Sequence, residues 1–198
     1  MAYCSGAGAE TTATTLSWWM LAMIAFPGVQ NKAQKEIDEV VGRGRLPTFD
    51  DAPRLPYVCA VIKEILRWRP TLPFGATHTA TDEDWYEGMY IPKGSVCIAN
   101  LWHCNHDRAI FGEDADEFQP ERHLKNEELL PESVGTTRAG HVSFGFGRRI
   151  CVGKDLAVES LFIATTRILW AAKLERARTR DGKEVPLDVE TIVDAGIV

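Results

Sequence analysis

Three glycines, two arginines and one cysteine share ten residues, FGFGRRICVG, at positions 144–153. Those residue types at that density suit a phosphate loop, a reactive thiol or a metal-thiolate site. A phosphate loop needs G-x-x-x-x-G-K-[ST]. Here the step from Gly147 to Gly153 has the wrong length, and Asp155 follows Lys154. A nucleophile elbow needs G-x-S-x-G, which is absent. Cys151 is what remains. It sits beside Arg148 and Arg149 and just before a helix-forming run. Neighbouring cations and a helix N-terminus both favour a thiolate. A buried small hydrophobe at a turn is the competing reading of a free cysteine, and both stay open on local chemistry alone.

Other residues of chemical interest lie upstream. AGAETT (7–12) opens a Thr-rich helical stretch, EILR (64–67) sets a carboxylate three residues from a guanidinium, and PERH (120–123) adds Arg122. HCNH (103–106) offers metal-ligand types, but at a spacing too tight for a standard zinc site. Five cysteines, odd in number and never in a C-x-x-C pair, make neither a disulfide framework nor a zinc ribbon and suggest a reducing compartment. A net charge of −6 with no basic run gives nothing to hold nucleic acid. At 198 residues, 45% hydrophobic and 25% charged, the composition is that of a globular domain or part of a larger one.

These groups need elements to position them. Residues 1–26 read as one helix. Its apolar run LSWWMLAMIAF (16–26) is shorter than the roughly 20 residues that span a bilayer, and Pro27 ends it. No Lys or Arg precedes Lys32, and Glu10 stands where a leader peptide is basic, so the run reads as a buried helix. Pro27 suits the first turn of a second helix, with Val29, Ala33, Ile37, Val40 and Val41 on one face and Gly42 as its cap. A third helix carries the stripe Leu55, Val58, Ile62, Ile65, Leu66 and stops at Pro70. Opposite that stripe, Glu64 and Arg67 read as an exposed ion pair of a few tenths of a kcal/mol. Residues 77–100 alternate β-branched and aromatic types around two turns and predict a small antiparallel sheet. Residues 103–142 lack periodicity and read as a long loop. GKDLAVESLFIATTRILWAAKLE (153–175) is apolar nearly all round and predicts a buried helix. The fold class is mainly α with a small antiparallel β-sheet.

The pattern Phe144-x-x-Gly147-x-Arg149-x-Cys151-x-Gly153 resembles the haem-ligand loop of the cytochrome P450 monooxygenases. AGAETT, EILR and PERH resemble three further family motifs, and all four come in family order. The resemblance implies the C-terminal part of that fold, from the distal helix to the cysteine loop and the helix after it, with residues 1–198 as one partial domain. It makes Cys151 the axial ligand of haem b iron, where a thiolate pushes electron density to the metal. Gly145, Gly147 and Gly153 would let the backbone approach the cofactor, Phe144 would shield the sulfur, and Arg149 and His78 would meet its propionates. Gly8, Glu10 and Thr11 would make room for dioxygen, relay protons and hydrogen-bond it. Glu64, Arg67 and Arg122 would form a buried ion network, against the exposed reading above. The family usually has an aromatic residue at His123, so this chain departs there.

The implied activity inserts one atom of dioxygen into a small apolar organic substrate, using electrons from NADPH through a reductase. The resemblance also implies a chain truncated at its N-terminus and slightly clipped at LDVETIVDAGIV (187–198), with LSWWMLAMIAF left uncovered and prone to aggregate. A full-length eukaryotic relative would be anchored in the endoplasmic reticulum membrane. This chain, lacking such an anchor, would be cytoplasmic or of unknown location. An inactive fragment, with or without haem affinity, and a haem-free thiol enzyme or sensor are the alternatives.

Overall fold

Proline placement divides the first two helices. In this computed structural model, which describes residues 2–130 and 140–187, α1 spans Ala2–Ala25 and α2 spans Pro27–Val40. Pro27 lies in the first turn of α2, where its missing N–H leaves no bond unmade. The chain turns through 104° between the two helices. Gly42 follows α2 at φ +71°, a left-handed conformation that favours glycine.

α3, Pro56–Trp68, is the central element and packs against α1, α2 and α6 (Lys154–Ala171). Its expected stripe is buried, but so is the opposite face, including Lys63, Glu64 and Arg67. The exposed reading of the Glu64–Arg67 pair is therefore wrong. A second layer, invisible to helical periodicity, covers that face: the 3-10 turn Pro120–His123 and the hairpin that follows it over 124–129.

The core joins Trp18, Trp19 and Met23 of α1 to Ile37 of α2, Val58, Val61 and Ile65 of α3, and Leu161, Phe162 and Leu169 of α6. Phe26 stacks on Phe118 at 5.2 Å, and Trp68 lies edge-on to Phe26 at 5.9 Å. The run 16–26 is thus a buried helix, as read. The expectation that it lies uncovered is corrected, since α2, α3 and α6 cover it and Met20 alone of its large side chains is exposed. Among the described residues no single helix is long and apolar enough to cross a membrane.

In place of one sheet over 77–100 there are two nested hairpins. β1 (His78–Thr79) pairs antiparallel with β4 (Val96–Cys97), and β2 (Asp84–Tyr86) with β3 (Met89–Ile91). Glu87 and Gly88 link β2 to β3 with positive φ at both, the geometry that matches strand twist in a two-residue turn. A third hairpin pairs β5 (Leu124–Lys125) with β6 (Glu128–Leu129). Among its described residues, the loop expected over 103–142 holds that hairpin, the Pro120–His123 turn, the end of the short helix α4 (Leu101–Asn105) and the short helix α5 (Arg108–Phe111). α6 is buried in its second half but not all round, for Leu156 in its first turn is 71% exposed. Apart from Leu187, the segment LDVETIVDAGIV lies outside the described residues.

Candidate functional site

The glycine loop is a tight sequence of turns. Gly145 at φ +71° donates its N–H to Val142 O at 2.8 Å, and Gly147 at φ +66° begins a 3-10 turn, Gly147–Arg149. Other residues adopt such φ values only under strain. The turn brings the Cys151 N–H to Phe144 O at 2.9 Å, and Cys151 O accepts from Lys154 N at 3.3 Å as α6 begins. The Cys151 side chain stays exposed, as do Arg148 and Arg149. Phe144 packs its ring against the core, while Phe146 and Val152 face outward with the cysteine. A Cβ at Gly153 would touch the sulfur, 3.9 Å away.

The root of this loop is tied to α3 through α4. Asn105 is fully buried; its Oδ1 accepts from Val142 N at 2.9 Å and its Nδ2 donates to Ser143 Oγ at 2.9 Å. Ser143 Oγ in turn donates to Leu66 O at 2.6 Å. Nothing in the sequence singled out Asn105 or Ser143, because their partners are 38 and 77 residues away.

On the same side of α3, Glu64 accepts five hydrogen bonds, from Arg67 Nε and Nη2, Arg122 Nε, Gln119 N and His123 Nε2, all between 2.7 and 3.0 Å. Burial pushes its carboxyl up, but the Arg67 and His123 contacts outweigh that and bring it down to about 2. Arg67 also donates to the carbonyls of Asn105, Ala115 and Glu117, and Arg122 to those of Phe111 and Asp114. Two guanidiniums thereby satisfy the backbone of a segment that has little regular structure of its own. Sequence reasoning placed the three charged members and treated His123 as a mere departure; its ring is in fact a fourth member.

The cytochrome P450 family model matches residues 3–188. This chain belongs to the cytochrome P450 family. It is 51% identical over 193 residues to a cytochrome P450 monooxygenase of Armillaria gallica, covering 97% of this chain and 37% of that protein. Cytochrome P450 monooxygenase 58 of Postia placenta is 50% identical over 193 residues, covering 98% of this chain and 36% of that protein. Cytochrome P450 monooxygenase iboC of Amanita muscaria is 40% identical over 215 residues, covering 86% of this chain and 38% of that protein. The chain thus spans little more than a third of the length of these relatives.

The family's haem fits the residues that this P450 chain presents. The exposed Cys151 shares its loop and the first turn of α6 with exposed apolar groups (Phe146, Val152 and Leu156) and two exposed guanidiniums, a set of side chains suited to a flat apolar group with anionic edges. At Gly145 and Gly147 the space where a Cβ would stand is open to 4 Å. His78 is exposed on β1, opposite Cys97 on β4. On α1, Gly8 and Glu10 are exposed and Thr11 is half-buried, about two turns before the part of the helix that enters the core. Thr12 donates to Gly8 O at 2.9 Å and Thr15 to Thr11 O at 2.9 Å, so the threonines bond back along their own helix while it continues unbroken to Ala25.

Proposed function

We propose that this chain is the thiolate-bearing portion of a haem-thiolate monooxygenase, which inserts one atom of dioxygen into an apolar organic substrate with electrons drawn from NADPH through a reductase. The observation that carries the proposal is the exposed Cys151 thiol, held outward by a glycine loop whose root is locked to α3. Haem bound there supplies the redox chemistry, with the thiolate favouring O–O cleavage. The chain's own residues bind, orient and handle protons. Cys151 would hold the haem iron through its thiolate. Arg149 and His78 would hold its propionates by charge-assisted hydrogen bonds. Gly145, Gly147 and Gly153 keep side chains off the cofactor, and Phe144 braces the loop from the core side. On α1, Gly8 leaves open space, while Thr11 and Glu10 supply a hydroxyl and a carboxylate able to hold and pass protons.

The reductase would dock beside the exposed Arg148 and Arg149. For a full-length protein of this kind, the reading includes the endoplasmic reticulum membrane as its location. The names of the relatives support the monooxygenase reading.

A carbon monoxide difference spectrum of the haem-supplemented, dithionite-reduced chain tests the proposal, with Cys151→Ala as control. The strongly red-shifted Soret band of a thiolate-ligated ferrous haem, lost in the variant, is the expected result. Haem uptake that leaves the spectrum unchanged by Cys151→Ala removes the ligand assignment. No uptake together with rapid alkylation of Cys151 supports the thiol reading instead.

A further inference from the structure

We propose that His123 is a positioning residue for the Cys151 loop, acting as the hinge pin between the buried Glu64 carboxylate and the loop's entry at Gly140. The imidazole touches both. Its Nε2 lies 2.8 Å from Glu64 Oε2, and its other edge occupies the space where a side chain at 140 would start: a Cβ on Gly140 would stand 2.8 Å from Nδ1 and 3.0 Å from Cε1. Gly140 also takes φ +102°, which disfavours any side chain. From Gly140 the chain reaches Val142 and Ser143, clamped by Asn105 and Leu66, and then Phe144, whose carbonyl holds the Cys151 N–H.

Two routes therefore run from Glu64 to the cysteine loop. One goes through Arg67 and Asn105 to Val142, the other through His123 to Gly140. Both depend on the same carboxylate, which is cut off from water. A phenyl ring at 123 would fill the same space against Gly140 but give Glu64 Oε2 no proton. Arg67 Nε would then be the remaining donor recorded for that oxygen. A buried charged acceptor that loses a donor is destabilised, and a shift of Glu64 to recover one would be passed to the loop entry through the ring and through Arg67 and Asn105. What the loop is for rests on the function proposed above; the coupling concerns this chain's own residues.

The test is hydrogen–deuterium exchange of peptides spanning 140–151 in the 198-residue chain, without and with haem, for wild type, His123→Gln and His123→Phe. Gln restores an Nε2 donor; Phe restores the ring alone. The expected result is near wild-type protection of 140–151 in His123→Gln and protection lowered about tenfold in His123→Phe, with α6 amides unchanged in both. Equal protection in the two variants overturns the proposal, as does a loss spread evenly over α3 and α6. Should His123→Phe not fold, Gly140→Ala decides. It should lower loop protection strongly in the wild-type background and clearly less in His123→Ala, where the ring is gone; equal losses overturn the coupling. With haem, the fraction of thiolate-type carbon monoxide band should follow the exchange result. A wild type that shows no such band refutes the haem reading while the exchange data still decide the role of His123.

Discussion

A carboxylate without water needs donors on every side, and Glu64 takes five from four residues. Arg67→Ala removes two of them and strands the charge, so urea unfolding should show a loss of roughly 3–5 kcal/mol. Acid works on the same cluster in two steps. Burial holds His123 below its ordinary 6.5 despite the pull of Glu64, whose charge is already met by Arg67 and Arg122. Burial likewise lowers His106 and His141. These imidazoles take up protons less readily in the folded than in the unfolded chain, so their stabilisation is present above pH 6.5 and declines as pH falls below it. The cations that face His123 are Arg67 and Lys63, which oppose its charging. Glu64, lowered from 4.5 to about 2, adds a second decline as pH falls from 4.5 towards 2. Melting temperature against pH should show both, and His123→Gln should flatten the first without removing it.

At the level of elements, α3 is the most constrained. Its N-terminus is capped from another helix: Glu36 of α2 accepts from Tyr57 N and Val58 N, both at 2.9 Å. Glu36→Ala should cost about 1 kcal/mol, as loss of a cap does, and should raise amide exchange at Tyr57 and Val58 more than at Ile65. The stripe on α3 and the stops at Pro27, Gly42 and Pro70 were legible because they act within a few residues of themselves. Glu36 as a cap was not, for it lies 21 residues before Tyr57 and sits in a helix interior of its own. The segment 103–142 was opaque for the same reason. Between 105 and 117 five of its carbonyls accept from Arg67 and Arg122, and no local pattern records a guanidinium that arrives from elsewhere.

Across the described residues, exposed large apolar side chains recur in several places, among them Trp85, Tyr86, Met89 and Tyr90 on the β2–β3 hairpin. Val96, Ile98, Leu72 and Phe74 are exposed on and beside the β1–β4 hairpin, and Phe146, Val152 and Leu156 around Cys151. Patches of this kind drive association. The double variant Val96→Thr, Ile98→Thr should therefore lower the weight-average mass seen in sedimentation at high protein concentration, with little change in melting temperature, since neither side chain is in the core.

The local order of residues decided much about this protein on its own. Glycine spacing in 144–153, proline stops and apolar periodicity act through φ preferences and nearest neighbours, so they read directly from the chain. Only the tertiary structure decided burial. The same Glu64–Arg67 spacing serves equally for an exposed pair on a helix and for the centre of a buried network. The difference lies in Arg122, His123 and the carbonyls of 105–117, which arrive from beyond the helix and replace the water that an exposed pair would keep.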